Sequence, residues 1–70
     1  MRELIIKRLF DEIKSSGLTY SYIAKECDIS VVMLSQYKNL HKLPSLETFA
    51  KICEVVGVSA DYILGLKEYW

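Results

Sequence analysis

Cys27, Cys53 and His41 are the side chains that could carry nucleophilic or metal chemistry, and their surroundings in the sequence supply no partner for it. The two cysteines fall on inward-facing helical positions with no second Cys or His at ligand spacing, so each reads as a small buried hydrophobe rather than half of a disulfide or zinc site. His41 has no adjacent nucleophile and no carboxylate at triad-like spacing, and no Gly-rich phosphate loop is present. No cofactor, metal or small-molecule substrate is implied, and the chain does not read as an enzyme. The chemistry that remains is recognition.

Recognition needs a helix held firmly from behind, and the run from Leu18 to Tyr37 provides it. Two short amphipathic segments flank a tight turn, each preceded by a hydroxyl residue, Thr19 and Ser30, placed to cap its first turn. The first carries Ala24 where a neighbouring helix must come close and ends near Asp28; the second buries Leu34 and Tyr37. This is the pattern of a helix-turn-helix, whose second helix can present its N-terminal half to a DNA groove.

The flanking segments are helical too. Ile6, Leu9, Phe10 and Ile13 recur at i, i+3, i+4 and i+7, which predicts a first helix over about Arg2 to Ser15, stopped by Gly17. Pro44 and Ser45 announce a fourth helix with Leu46, Phe49, Ile52, Cys53 and Val56 as its buried stripe, and Glu47 near the positive end of its dipole. Gly57 ends it. Ser59 caps a last short helix carrying Ala60, Tyr62, Ile63 and Leu64, which Gly65 terminates. The expected fold is all-α, a compact five-helix bundle over residues 1–65, with residues 66–70 as a C-terminal tail.

Composition is consistent with one small domain. Of the 70 residues, 51% are apolar, enough for a core without metal or disulfide, and there are only three glycines and one proline. No stretch approaches the roughly 20 apolar residues of a membrane span. The charges of Met1-Arg2-Glu3-Leu4 lie too close to its apolar residues for a signal peptide, so a cytoplasmic protein is expected.

The residues Gly17-Leu18-Thr19, Ile23-Ala24, Ile29-Ser30, Leu34-Ser35-Gln36-Tyr37, Pro44-Ser45-Leu46-Glu47-Thr48 and Gly57 to Gly65 fall in register with one family. On them the chain resembles the Cro and phage-repressor type of helix-turn-helix, also called the xenobiotic-response-element family. The resemblance implies a five-helix DNA-binding domain that represses or activates transcription, often as a homodimer on a two-fold operator of double-stranded DNA, with repression the expected role here. Carried over by position, Val31, Val32, Ser35 and Gln36 would face base edges; Tyr20, Ser21, Asn39, His41 and Lys42 would meet the sugar-phosphate backbone. Tyr22, Tyr37 and Tyr62 are expected to pack. Asp28 replaces the family's turn glycine and can visit the left-handed region. With Leu40 where glycine often closes the recognition helix, Asn39 is expected to adopt the special backbone geometry.

The apolar triplet Val31-Val32-Met33 admits three readings. The valines can meet thymine methyls while Gln36 hydrogen-bonds adenine; the triplet can be a docking surface of an antirepressor or antitoxin-like interaction module; or one member, Met33 above all, can turn inward. Net charge does not separate them, since nine basic and nine acidic residues cancel. The distribution is more telling: no acid lies between Asp28 and Glu47, while Lys38, His41 and Lys42 do. Leu64, Leu66, Tyr69 and Trp70 place large apolar groups after the last cap, where a two-fold contact would bury them and set two recognition helices about 34 Å apart, one DNA turn.

Overall fold

The computed structural model describes residues 1–68; the expected tail contacts of Tyr69 and Trp70 lie outside them. Five helices follow in order: α1 (Arg2–Ser16), α2 (Tyr20–Cys27), α3 (Val31–Lys38), α4 (Leu46–Val56) and α5 (Ala60–Ile63), with no strand among the described residues.

Each helix after the first begins at a hydroxyl cap. Thr19 accepts from the amide of Tyr22, Ser30 from Met33 and Ser45 from Thr48, each at 3.1 Å, and Ser59 accepts from Tyr62 at 3.4 Å. A cap of this kind satisfies an orphan first-turn donor and contributes about 1 kcal/mol. The ends are equally defined. Gly17 and Gly57 close α1 and α4 at φ 76° and 79°. Asp28 does the same for α2 at φ 57°, as its replacement of the turn glycine requires, while the amide of Ile29 reaches back to the Ala24 carbonyl at 3.0 Å.

At the end of α3 the structure differs from expectation. Asn39 stays at φ −91°, and it is Leu40 that enters the left-handed region, at φ 62°. The amide of His41 bonds the Gln36 carbonyl at 2.9 Å, and that closure needs the left-handed residue immediately before His41. A leucine there costs roughly 1–2 kcal/mol. Its side chain packs against the core, an offset that asparagine could not supply.

Every helix contributes to one core. Leu9 and Ile13 of α1, Ile23 of α2, Leu34 of α3, Ile52 of α4 and Ile63 of α5 are all fully buried. Helix α1 packs on α3, α4 and α5, and α2 packs on α3 and α4, so α3 is backed from two sides. Arg8 fastens α5 to α1: its guanidinium donates to the Tyr62 carbonyl at 2.6 Å and sits 4.7 Å from the centroid of the Tyr62 ring.

Two expectations about packing are corrected. Leu46, placed on the buried stripe of α4, is 88% exposed. It is the first residue of α4, and periodicity gives a direction around the helix without saying whether a neighbour extends far enough to cover it. Tyr22, assigned to packing, is also exposed; it lies on the opposite side of α2 from Ile23, Ala24 and Cys27. Tyr37 and Tyr62 do pack, the first buried and the second half-buried.

Candidate nucleic-acid interface

Helix α3 divides cleanly around its axis. Leu34 and Tyr37 are buried, and Met33 and Leu40 are half-buried against the core. At 3.6 residues per turn the opposite face centres on Val32, Ser35 and Asn39, spaced i, i+3 and i+7. All three are exposed. Val31 and Lys38, seven apart, border this face on one side; Gln36 borders it on the other and is half-buried. Thus the four expected base-facing residues occupy one outward sector, with Asn39 at its end.

Met33 turns inward, which splits the apolar triplet. Two valines remain outside, Val32 at 65% exposure and Val31 at 41%. A docking surface built on three adjacent apolar residues is therefore reduced to two, whereas single methyl contacts of the kind a thymine offers need no more than that.

Ser30 sets the direction of this face. Its side chain accepts from Met33 and its carbonyl from Leu34 at 3.3 Å, so the chain enters α3 at a fixed angle from the turn at Asp28. The exit is fixed at Gln36. Its carbonyl accepts from the amides of both His41 and Lys42, at 2.9 and 3.3 Å. The loop carrying His41 and Lys42, the expected phosphate-facing residues, is thereby tied through backbone alone to the residue whose side chain is the foremost reading candidate.

His41 and Lys42 are exposed, and Lys42 makes no ion pair among the described residues. Lys38 is placed differently. It lines a cleft with Phe10 and Asp11 of α1, on the flank of α3 rather than the centre of its outer face. On α2, Ser21 is exposed, whereas Tyr20 is half-buried with its ring edge-on to Phe10, centroids 6.0 Å apart. Tyr22, which sequence reasoning assigned to packing, leaves a phenol in solvent beside Ser21; its position off the Ile23-Cys27 stripe was the available signal.

The cysteines stay out of this site. Burial pushes the Cys53 thiol up to about 11. Burial also raises that of Cys27, opposed by the nearby Lys51 charge. Both are thus protonated at neutral pH, and no cluster of metal-ligating side chains occurs among the described residues. Nor is any helix there long and apolar enough to cross a membrane.

The helix-turn-helix family matches residues 9–63, from the second half of α1 through α5. The chain belongs to that family. The regulator resemblance read from Gly17 to Gly65 overlaps this match over residues 17–63. The chain is also similar to the HTH-type transcriptional regulator ImmR of Bacillus subtilis (strain 168), with 32% identity over 62 residues. That alignment covers 89% of this chain and 49% of ImmR, so the chain spans about half the length of the curated relative it matches. No solved structure matches the chain.

Proposed function

We propose that this helix-turn-helix domain is a sequence-specific transcriptional regulator, acting in the cytoplasm as a repressor by occupying an operator rather than by catalysis. The single observation that carries this reading is the unpartnered outer face of α3. It is backed by buried Leu34 and Tyr37 and followed by an acid-free loop fixed to its last turn.

In this pose α3 lies in the major groove. The amide of Gln36 pairs with an adenine edge, Ser35 reaches a base or a phosphate, and Val31 and Val32 cover thymine methyls, giving a preference for A·T steps. His41 and Lys42 on the exit loop, Asn39 at the helix end, and Ser21 with the Tyr20 hydroxyl at the start of α2 hold the sugar-phosphate backbone. A single copy offers few cations, so useful affinity calls for a homodimer on a two-fold site.

Titration of duplex DNA at increasing salt tests the reading. Binding should fall as salt rises, with a log-log slope of about −0.9 per bound copy for each phosphate that a cation such as Lys42 neutralises. Binding at low salt no stronger than that of an unrelated neutral protein would overturn it. A finer expectation concerns the valines. Replacing the thymine opposite Val32 by uracil removes one methyl and should weaken binding by about 0.8 kcal/mol, roughly fourfold. Indifference to every thymine-to-uracil change in the best site would remove both valines from the reading face.

A further inference from the structure

Helix α1, the loop before α4, the first turn of α4 and the residue that ends α5 enclose an open groove of about 150 Å³, and none of its lining residues belongs to α2 or α3. Ile5 and Ile6 wall it on α1, Leu43 and Pro44 on the loop, Phe49 on α4 and Leu64 after α5. Leu46 completes the wall while 88% exposed, and Leu43 is 47% exposed. Single exposed leucines are ordinary on a protein surface, but apolar side chains gathered around one hollow mark a place where something binds.

The size and the charge of the hollow narrow what that is. An apolar cavity of about this volume, lined by Leu, Ile and Phe, stays free of water and accepts a benzene ring. One ring fills it. Phe49 in the wall adds an aromatic partner for such a ring. Arg2 is the one charged residue that lines the groove, and no carboxylate lines it. Its guanidinium makes no ion pair among the described residues, and the neighbouring Glu3 is engaged by the N-terminal ammonium at 3.6 Å. An apolar hollow with a single free cation beside it is complementary to a ring that carries a negative group. A carboxylate suits the planar fork of arginine.

We infer that the groove binds a small single-ring aromatic carboxylate, its ring against Leu43, Leu46, Phe49 and Leu64 and its carboxylate on Arg2. The site is separate from the outer face of α3 and does not depend on the DNA reading. Because the groove is open on one side, the charged end of the ligand stays in contact with water, and neither it nor Arg2 has to be fully desolvated.

Titration of the full chain, without added N-terminal residues, with benzoate tests this, followed by amide NMR shifts. Saturable shifts should cluster at Ile5, Leu43, Leu46 and Leu64 and spare Ser35, with a dissociation constant on the order of 0.1–1 mM for so small a ligand. Benzylammonium, the same ring with the opposite charge, should bind more weakly than benzoate. Arg2→Gln should weaken benzoate roughly two- to fivefold and leave benzyl alcohol unchanged, as an exposed ion pair requires. Leu46→Asp, which sets a carboxylate in the wall, should weaken benzoate more than benzyl alcohol. Both substitutions are at exposed positions, and their circular dichroism melts should match wild type. No saturable shift at 20-fold the expected constant, shifts centred elsewhere, or equal binding of benzoate and benzylammonium would overturn the inference. So would benzoate binding that appears only after Trp70→Ser, which would give the groove to the end of the chain itself, or binding that is lost as protein concentration rises, which would give it to a second copy. DNA titrations stand apart from all of these outcomes, so failure of the ligand site leaves the reading of α3 in place.

Discussion

Leu34→Ala is expected to cost about 2–5 kcal/mol of folding stability, the range for removing a fully buried leucine whose cavity cannot collapse. Leu34 is 0% exposed and lies on the face of α3 that meets both α1 and α2. A domain of this length has only roughly 4–10 kcal/mol in total, so the loss takes a large share of it. Urea denaturation should show a markedly lower midpoint at unchanged slope, or an unfolded chain at 37 °C. A loss below about 1 kcal/mol would mean that α3 is not held from behind as described. The functional consequence follows directly: with the helix loosened, its outer face loses the fixed geometry that base reading needs.

Gln36→Ala should leave folding almost untouched and cost roughly 1–3 kcal/mol on the preferred DNA site, confined to one base pair. The separation of roles is unusually clean here. The carbonyl that anchors His41 and Lys42 belongs to the backbone of Gln36, and alanine keeps it. The variant therefore removes the reading group without freeing the loop. Lys42→Ala is the contrast: it should weaken all sequences about equally and lower the salt slope by about one. Electrophoretic or anisotropy titrations on the best site and on single-base variants distinguish the two patterns. The same uniform loss for both variants would take Gln36 out of the reading set.

The helices were legible in the sequence because their punctuation is chemical. Thr19, Ser30, Ser45 and Ser59 announce four starts, and each accepts the expected amide bond. Gly17 and Gly57 mark stops, and Asp28 could be recognised as a stop because its short polar side chain tolerates the left-handed region. Leu40 could not. Its φ of 62° is imposed by the bond from His41 to Gln36 and offset by packing on the core, and neither is written in local propensity.

Burial at helix ends was the other limit. The stripe that places Ile52 and Cys53 inside extends by arithmetic to Leu46, but the neighbouring elements stop short of it. In the candidate interface, the family resemblance assigned Val31, Val32, Ser35 and Gln36 to one side of α3. That Met33 leaves the triplet for the core, and that Lys38 borders α1 rather than the centre of the outer face, depends on which helices flank α3. Sequence spacing around one helix does not contain that information.

Selection of bound duplexes from a random DNA library, run in parallel with wild type and Gln36→Ala, tests the reading face most directly. Wild type should enrich a motif rich in A·T steps, and the variant should enrich the same motif with one position relaxed. A library that returns no enriched sequence with wild type, or an identical motif with both proteins, would contradict base reading by the outer face of α3.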